Sequence, residues 1–200
     1  NDSAIRIVDR FDIENIDFFI SDTNPTFFSN FLVNDMVNFM KFACNQNELE
    51  SFEKIYYKLG ENFGKKILDS IKSEFDGNVF STLESLPNLE TKFLIKANQL
   101  KKDFDKLVGL HPTHALEFIE NELGYKRVIL EHAKKGYSVV SLNQKMSILR
   151  SVASNCQNIN DFILRLSYLE RIMKKSDRKR DKVTLSTIHS SKGLEFDKVI

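Results

Sequence analysis

Three features of the 200 residues predict a mainly α fold. Chain breakers are scarce, because three prolines and seven glycines leave long stretches free to form helices. Apolar side chains, many of the 17 phenylalanines among them, recur at three- and four-residue spacing from about residue 31 to 173. Strand-like runs lie near the two ends, at 16–20 and on either side of a polar knot within 183–200.

The elements follow in order. Ala4, Ile5, Val8 and Phe11 have helical spacing, and Asp2 or Ser3 is placed to cap that helix. Ile16 to Ile20 reads as a strand and Asp22 to Pro25 as a turn. Helix then follows helix. Val33, Val37 and Met40 form one stripe, and Leu49, Phe52, Ile55, Tyr56 and Leu59 form the next. Phe63, Ile67, Ile71 and Phe75 continue the pattern. A long stripe joins Leu89, Phe93, Ala97, Leu100, Phe104 and Leu107. Pro112-Thr113 opens a helix carrying Leu116, Ile119 and Leu123. Val128 and Ile129 mark another. Leu142, Met146, Leu149 and Val152, then Phe162, Leu166, Leu169 and Met173, mark the last two. Stripes of this kind are core. The run 174–182 carries six positive and two negative charges with no apolar residue, and reads as a solvated hinge or a segment brushing phosphate.

Val183 to Ile200 differs in kind. An apolar run leads into a polar knot, and a second apolar run follows, as in a buried strand, a functional turn and another buried strand. The knot gathers Thr187, His189, Lys192, Gly193 and Glu195 within nine positions. A core has no use for that mixture. Thr187 and His189 can donate to phosphate oxygens, and Lys192 can neutralise one. Gly193, lacking a Cβ, lets a backbone or a phosphate come close. Glu195 repels phosphate and suits a sugar hydroxyl.

The string Thr187-Ile188-His189-Ser190-Ser191-Lys192-Gly193-Leu194-Glu195-Phe196 resembles motif V of the UvrD/Rep/PcrA branch of superfamily 1 DNA helicases. The pair formed by 4–11 and 16–20 is similar to a helix–strand segment of that family's second RecA-like domain. Phe27-Phe28 with Val33 to Val37 resembles the segment leading into its helical insertion. The resemblance implies a multi-helical insertion subdomain, residues 31–175, flanked by short α/β pieces of a RecA-like (P-loop NTPase-type) domain at 1–30 and 182–200. It implies a fragment of an ATP-dependent 3′–5′ DNA helicase of repair or recombination, using ATP and Mg2+ in the parent enzyme. By that resemblance Thr187, His189 and Lys192 meet single-stranded DNA, while Gly193 and Glu195 couple to ATP, Glu195 at the ribose.

Gly60 to Lys66 looks superficially like a phosphate loop but fails on spacing, on the missing Ser or Thr, and on the missing strand before it. Two readings stay open for Gly64, Lys65 and Lys66: a plain helix cap, or a duplex DNA contact at a helix N-terminus. The family has a Gly-Ile-Gly turn in the corresponding place, where this chain has Asn62-Phe63-Gly64. His111, His114 and His132 lack metal-ligand spacing, and no metal site is expected. No G-x-x-x-x-G-K-[ST] loop occurs, so the 200 residues alone are expected to bind no ATP or Mg2+ and to be inactive. The family's arginine-bearing motif is expected beyond Ile200.

Lys+Arg total 29 and Asp+Glu 28, so any DNA contact must come from local basic patches. No apolar run is long enough to span a membrane, and no signal peptide is evident. Cys44 and Cys156, far apart, suit free thiols in a reducing cytoplasm. The expected partners are single-stranded and duplex DNA, with repair or recombination proteins. Two alternatives stay open: a non-catalytic helical DNA- or protein-binding module, and a piece of a helicase–nuclease.

Overall fold

A computed structural model describes residues 2–20, 26–60, 63–174 and 182–199. The expected turn at 22–25 and most of the charged run at 174–182 lie outside the described residues. Among the described residues, the order is α1 (Ala4–Ile13), β1 (Phe18–Ile20), α2 (Phe31–Cys44), α3 (Leu49–Ile55), a 3-10 turn (Tyr56–Lys58), α4 (Lys65–Ser73), α5 (Val79–Ser85), α6 (Thr91–Val108), α7 (Pro112–Asn121), α8 (Tyr125–Lys134), α9 (Val139–Ala153), α10 (Ile159–Lys174) and β2 (Val183–Leu185). The protein is mainly α.

Helix α2 is the axis of the core and packs against α3, α6, α7, α9 and α10. Asn30 starts it, its side chain accepting from Leu32 N. Leu32, Val33, Met36, Phe39, Met40 and Phe42 are all buried, so α2 is apolar around most of its circumference, as a central helix must be. Its Phe42 ring lies 4.8 Å from Phe104 of α6, 5.2 Å from Phe52 of α3 and 5.7 Å from Phe80 of α5. Phe52 and Phe104, from two of the stripes read from sequence, thus meet on Phe42, which with Phe80 lies in none of them, in the tilted and edge-on geometries that aromatic quadrupoles favour.

Helix α5 was not expected from the spacing. It is short, and its signal is a cap instead of a stripe. The Asn78 carboxamide accepts from Phe80 N and Ser81 N, and Asp76 holds the Ser81 and Thr82 hydroxyls at 2.7 and 2.8 Å. The expected cap of α1 is also different. Ser3 occupies the cap position without a side-chain bond, and the Asp2 carboxylate is paired with Lys145 of α9.

Two polar networks lie within the helical body. Asp35 of α2 is buried and pairs with Lys58, while the Tyr125 hydroxyl donates to its other oxygen. Lys58 also donates to Lys54 O at 2.8 Å. A buried charge persists only when its bonds are supplied in this way. The second network fixes α1 to α10. Arg165 donates to Asp9 Oδ1 at 2.8 Å, to Asp9 O at 3.1 Å and to Asp12, while Tyr168 donates to Asp12 at 2.9 Å. Ile5 and Val8 of α1 accordingly belong to the same buried cluster as the helical body.

Strands β1 and β2 pair in parallel, with Phe18 opposite Val183 and Ile20 opposite Leu185. Strand β1 is shorter than the expected 16–20. Strand β2 is largely exposed, not buried. Residues 194–199 form no strand, and Val199 is 80% exposed. Among the described residues the sheet has two strands; Ile20 and Leu185 pack on the core, while Val183 stays 46% exposed.

Candidate nucleic-acid interface

The polar knot begins where β2 ends. Val183 N donates to Asp17 O at 3.0 Å, which ties the base of the segment to the chain entering β1. After Leu185 the chain turns on Thr187, which is half-buried. Its Oγ1 accepts from Ser190 N at 3.1 Å and donates to Ser190 Oγ at 2.9 Å. Its carbonyl accepts from Ser191 N at 3.0 Å. This side-chain-to-backbone closure is the usual way a threonine fixes a single turn. Two further bonds, Lys192 N to His189 O at 3.4 Å and Leu194 N to Ser191 O at 3.0 Å, carry the turn on. Gly193 takes φ +82, a left-handed conformation that residues with a Cβ adopt only at a cost, and the space where a Cβ would stand is open.

The turn fixes the backbone and leaves the chemistry outward. His189, Lys192 and Glu195 are exposed, and their side chains make no hydrogen bond or ion pair among the described residues. A donor ring, an ammonium and a carboxylate thus sit on one short, internally bonded loop. Thr187 is the exception: its hydroxyl proton is engaged by Ser190, so it holds the turn. The Ser190 hydroxyl receives that bond and keeps its own proton to give. Sequence reading passed over Ser190. The signal was the Thr-x-x-Ser spacing, which is the pattern of a hydroxyl-capped turn.

Gly64, Lys65 and Lys66 lie elsewhere. Gly64 occupies the N-cap position of α4 in extended conformation, and its carbonyl accepts from Ile67 N at 3.1 Å. Lys65 and Lys66 form the first helical positions and both are exposed. Phe63 is buried against the Phe93 ring, at 5.0 Å, which anchors the turn to α6. Lys96 of α6 comes close to Gly60, adding a third ammonium to this side of the body. No hydrogen bond, ion pair or ring contact among the described residues joins this turn to 187–195. Asn62 lies outside the described residues.

The histidines and cysteines have local explanations. His111 caps α7 through Nδ1, and its ring stands 6.2 Å from that of His114. Burial pushes the Cys156 thiol up to about 11 and raises that of Cys44. Raised thiol pKa values describe unreactive cysteines. No described helix is long and apolar enough to cross a membrane.

Comparison with known proteins adds to this geometry. The family described as UvrD-like helicase C-terminal domain matches residues 1–200. Among curated relatives, YjcD of Bacillus subtilis (strain 168), whose description carries the words ATP-dependent DNA helicase, is 23% identical over 175 residues. The match covers 87% of this chain and 23% of that protein. ATP-dependent DNA helicase Rep of Buchnera aphidicola subsp. Acyrthosiphon pisum (strain APS) is 22% identical, with 93% of this chain and 32% of the relative covered. DNA helicase II of Rickettsia typhi (strain ATCC VR-144 / Wilmington) is 25% identical, with 86% and 28% covered. The chain therefore spans about a quarter to a third of the length of these relatives. With an outward-facing motif on a fixed turn and a family match over all 200 residues, the chain belongs to the UvrD-like helicase C-terminal domain family.

Proposed function

We propose that the chain is part of an ATP-dependent 3′–5′ DNA helicase or translocase and couples nucleotide state to movement on single-stranded DNA. The observation that carries this reading is the 187–195 turn, which is held by internal bonds and offers His189, Lys192 and Glu195 unpaired. In this reading His189 and Lys192 contact the strand. Thr187 contacts it through a backbone atom or its remaining lone pair. Glu195 accepts from the ATP ribose, and Gly193 gives the nucleotide side room. One rigid loop touching both ligands couples them, because a shift that suits one ligand moves the groups that serve the other.

The domain reading goes with it. Residues 1–30 and 182–200 are assigned to one RecA-like domain, and 31–175 to a helical subdomain inserted between them. The parallel pairing of β1 with β2, from opposite ends of the sequence, supports the assignment of both flanks to one sheet. Lys65 and Lys66, with Gly64, are assigned to duplex phosphate. Magnesium is assigned, with ATP, to the parent enzyme.

The test is a pair of variants in the full-length helicase. Glu195→Ala should raise KM for ATP, and His189→Ala should weaken single-strand affinity. Each should act on its own ligand by roughly ten- to a hundredfold, the worth of one charge-assisted hydrogen bond. If neither variant alters either ligand while the protein stays folded, the turn is a solvated loop and the coupling reading fails. DNA-stimulated ATP hydrolysis by the 200 residues alone would also contradict it.

A further inference from the structure

The C-terminal end of α8 carries an aromatic and basic cluster that the reading above does not use. Phe31 of α2 and His132 of α8 stack with ring centroids 4.0 Å apart and planes 20° from parallel. Tyr137 stands beside both, 5.4 Å from Phe31 and 5.1 Å from His132, at steep angles. The backbone fixes this arrangement. Gly136 has φ +93, Gly136 N bonds to Ala133 O at 3.0 Å, and Tyr137 N bonds to His132 O at 3.1 Å. That is the double closure of a glycine C-cap, and it sets Tyr137 against the last turn of α8. Even so, Tyr137 remains 51% exposed. His132 has a pKa lowered by burial and then by Lys135, so the stacked ring is neutral at pH 7.

Basic residues are frequent in this part of the sequence, and two of them lie at the C-terminal end of α8. Between Gly124 and Arg150 the chain has six Lys or Arg residues and one acid, Glu131, within a chain that is close to neutral overall. Arg127 pairs with Glu131, Lys145 with Asp2 and Arg150 with Glu120. Lys134 and Lys135 are exposed and have no ion pair among the described residues. They precede the tyrosine by three and two residues in sequence.

We propose that Tyr137, with Lys134 and Lys135, forms a separate single-stranded nucleic-acid contact: the ring takes an unpaired base and the two ammonium groups take neighbouring phosphates. The proposal rests on the DNA-binding reading above. A ring held in place against Phe31 and His132 stacks with little entropic loss, and every base has a face to offer it. A single strand fits better than a duplex, whose base faces are already occupied by one another.

The experiment measures binding of the whole 200-residue chain to fluorescein-labelled oligothymidine and to a duplex of equal length, by anisotropy over a salt series. Tyr137→Ala should weaken single-strand binding by about five- to a hundredfold, the range for one lost base stack. Tyr137→Phe, which keeps the ring, should bind within about twofold of wild type. Lys134→Ala with Lys135→Ala should reduce the slope of log K against log salt by about 1.4, or 0.7 for each phosphate. These two lysines are exposed, so the slope reads the same site even if Tyr137→Ala unfolds. An equal loss for duplex and single strand in Tyr137→Ala would overturn base stacking. Unchanged binding in these variants, with a loss in His189→Ala, would overturn this site and leave the turn at 187–195 as the DNA contact. No binding by wild type would overturn both. A sedimentation coefficient that falls in Tyr137→Ala, with oligonucleotide affinity unchanged, would assign the surface to protein association instead.

Discussion

The helical body and the segment 183–199 treat similar residues in opposite ways. In the body and in α1 packed on it, charges are turned inward and matched: Asp35 meets Lys58 and Tyr125, and Asp9 meets Arg165 and Asn155. In the C-terminal segment the charges of Lys192 and Glu195 face water unmatched, and Ile188 is 93% exposed. The body holds itself together. Among the described residues the segment is held at its base and by its own turn, and most of its side chains face solvent. Groups that stabilise are spent on one another, and groups that bind must be kept free.

The largest expected effect contrasts one phenylalanine from each region. Phe42→Ala removes a ring packed against three others and should cost about 3–5 kcal/mol in urea unfolding of the 200-residue chain. Phe196→Ala, at a partly exposed position of the segment, should change stability by less than about 0.5 kcal/mol. Equal costs would mean that the segment is part of the cooperative core, and the comparison would break.

A second test asks whether burial or pairing controls the body's inner charge. Burial is the largest influence on Asp35 and raises its pKa above the ordinary 3.8, against the opposing pull of Lys58 and Tyr125. The native chain therefore holds that proton more tightly than the unfolded chain does. The contribution of Asp35 to stability is full below pH 3.8 and falls as pH rises through its native pKa. Measured against Asp35→Asn, wild type should lose relative stability as pH rises from 3.8 through the raised native pKa of Asp35. A relative gain over that interval would show that the pair with Lys58 outweighs burial.

The smallest effect sharpens the contrast most finely. Gly136 and Gly193 both have left-handed φ, +93 and +82, and neither has an atom within 4 Å of the place where a Cβ would stand. Alanine therefore meets the same backbone strain at each, about 1 kcal/mol, with no clash. Gly136→Ala should lower the thermal midpoint of the body, because α8 and α9 unfold with it. Gly193→Ala should leave that midpoint unchanged while disturbing the 187–195 turn, visible in amide exchange of Lys192 and Leu194. A shared drop in midpoint would mean that the turn unfolds together with the body.

A mainly α protein, the places of most helices and the ten residues of the helicase-like motif are all legible in the amino-acid order alone. Those are local properties: helical period, breaker positions and a contiguous string all survive without knowledge of what packs where. It did not reveal α5, whose evidence is a cap formed by Asn78 and Asp76 over a helix too short to show a stripe. Nor did it reveal the partners of Asp35 or Asp9, because Lys58, Tyr125 and Arg165 are distant in sequence and only packing brings them within reach. The expected second strand after the motif failed for a related reason. Val199 has strand-like chemistry, but a strand needs a neighbour, and the described residues provide a sheet of two. Tertiary structure likewise separated the roles within the motif. Thr187 and His189 look equally able to donate in sequence, yet one hydroxyl closes the turn onto Ser190 while the imidazole stays free. Residue type sets what a group can bond; only its position in space decides whether the protein or a ligand receives that bond.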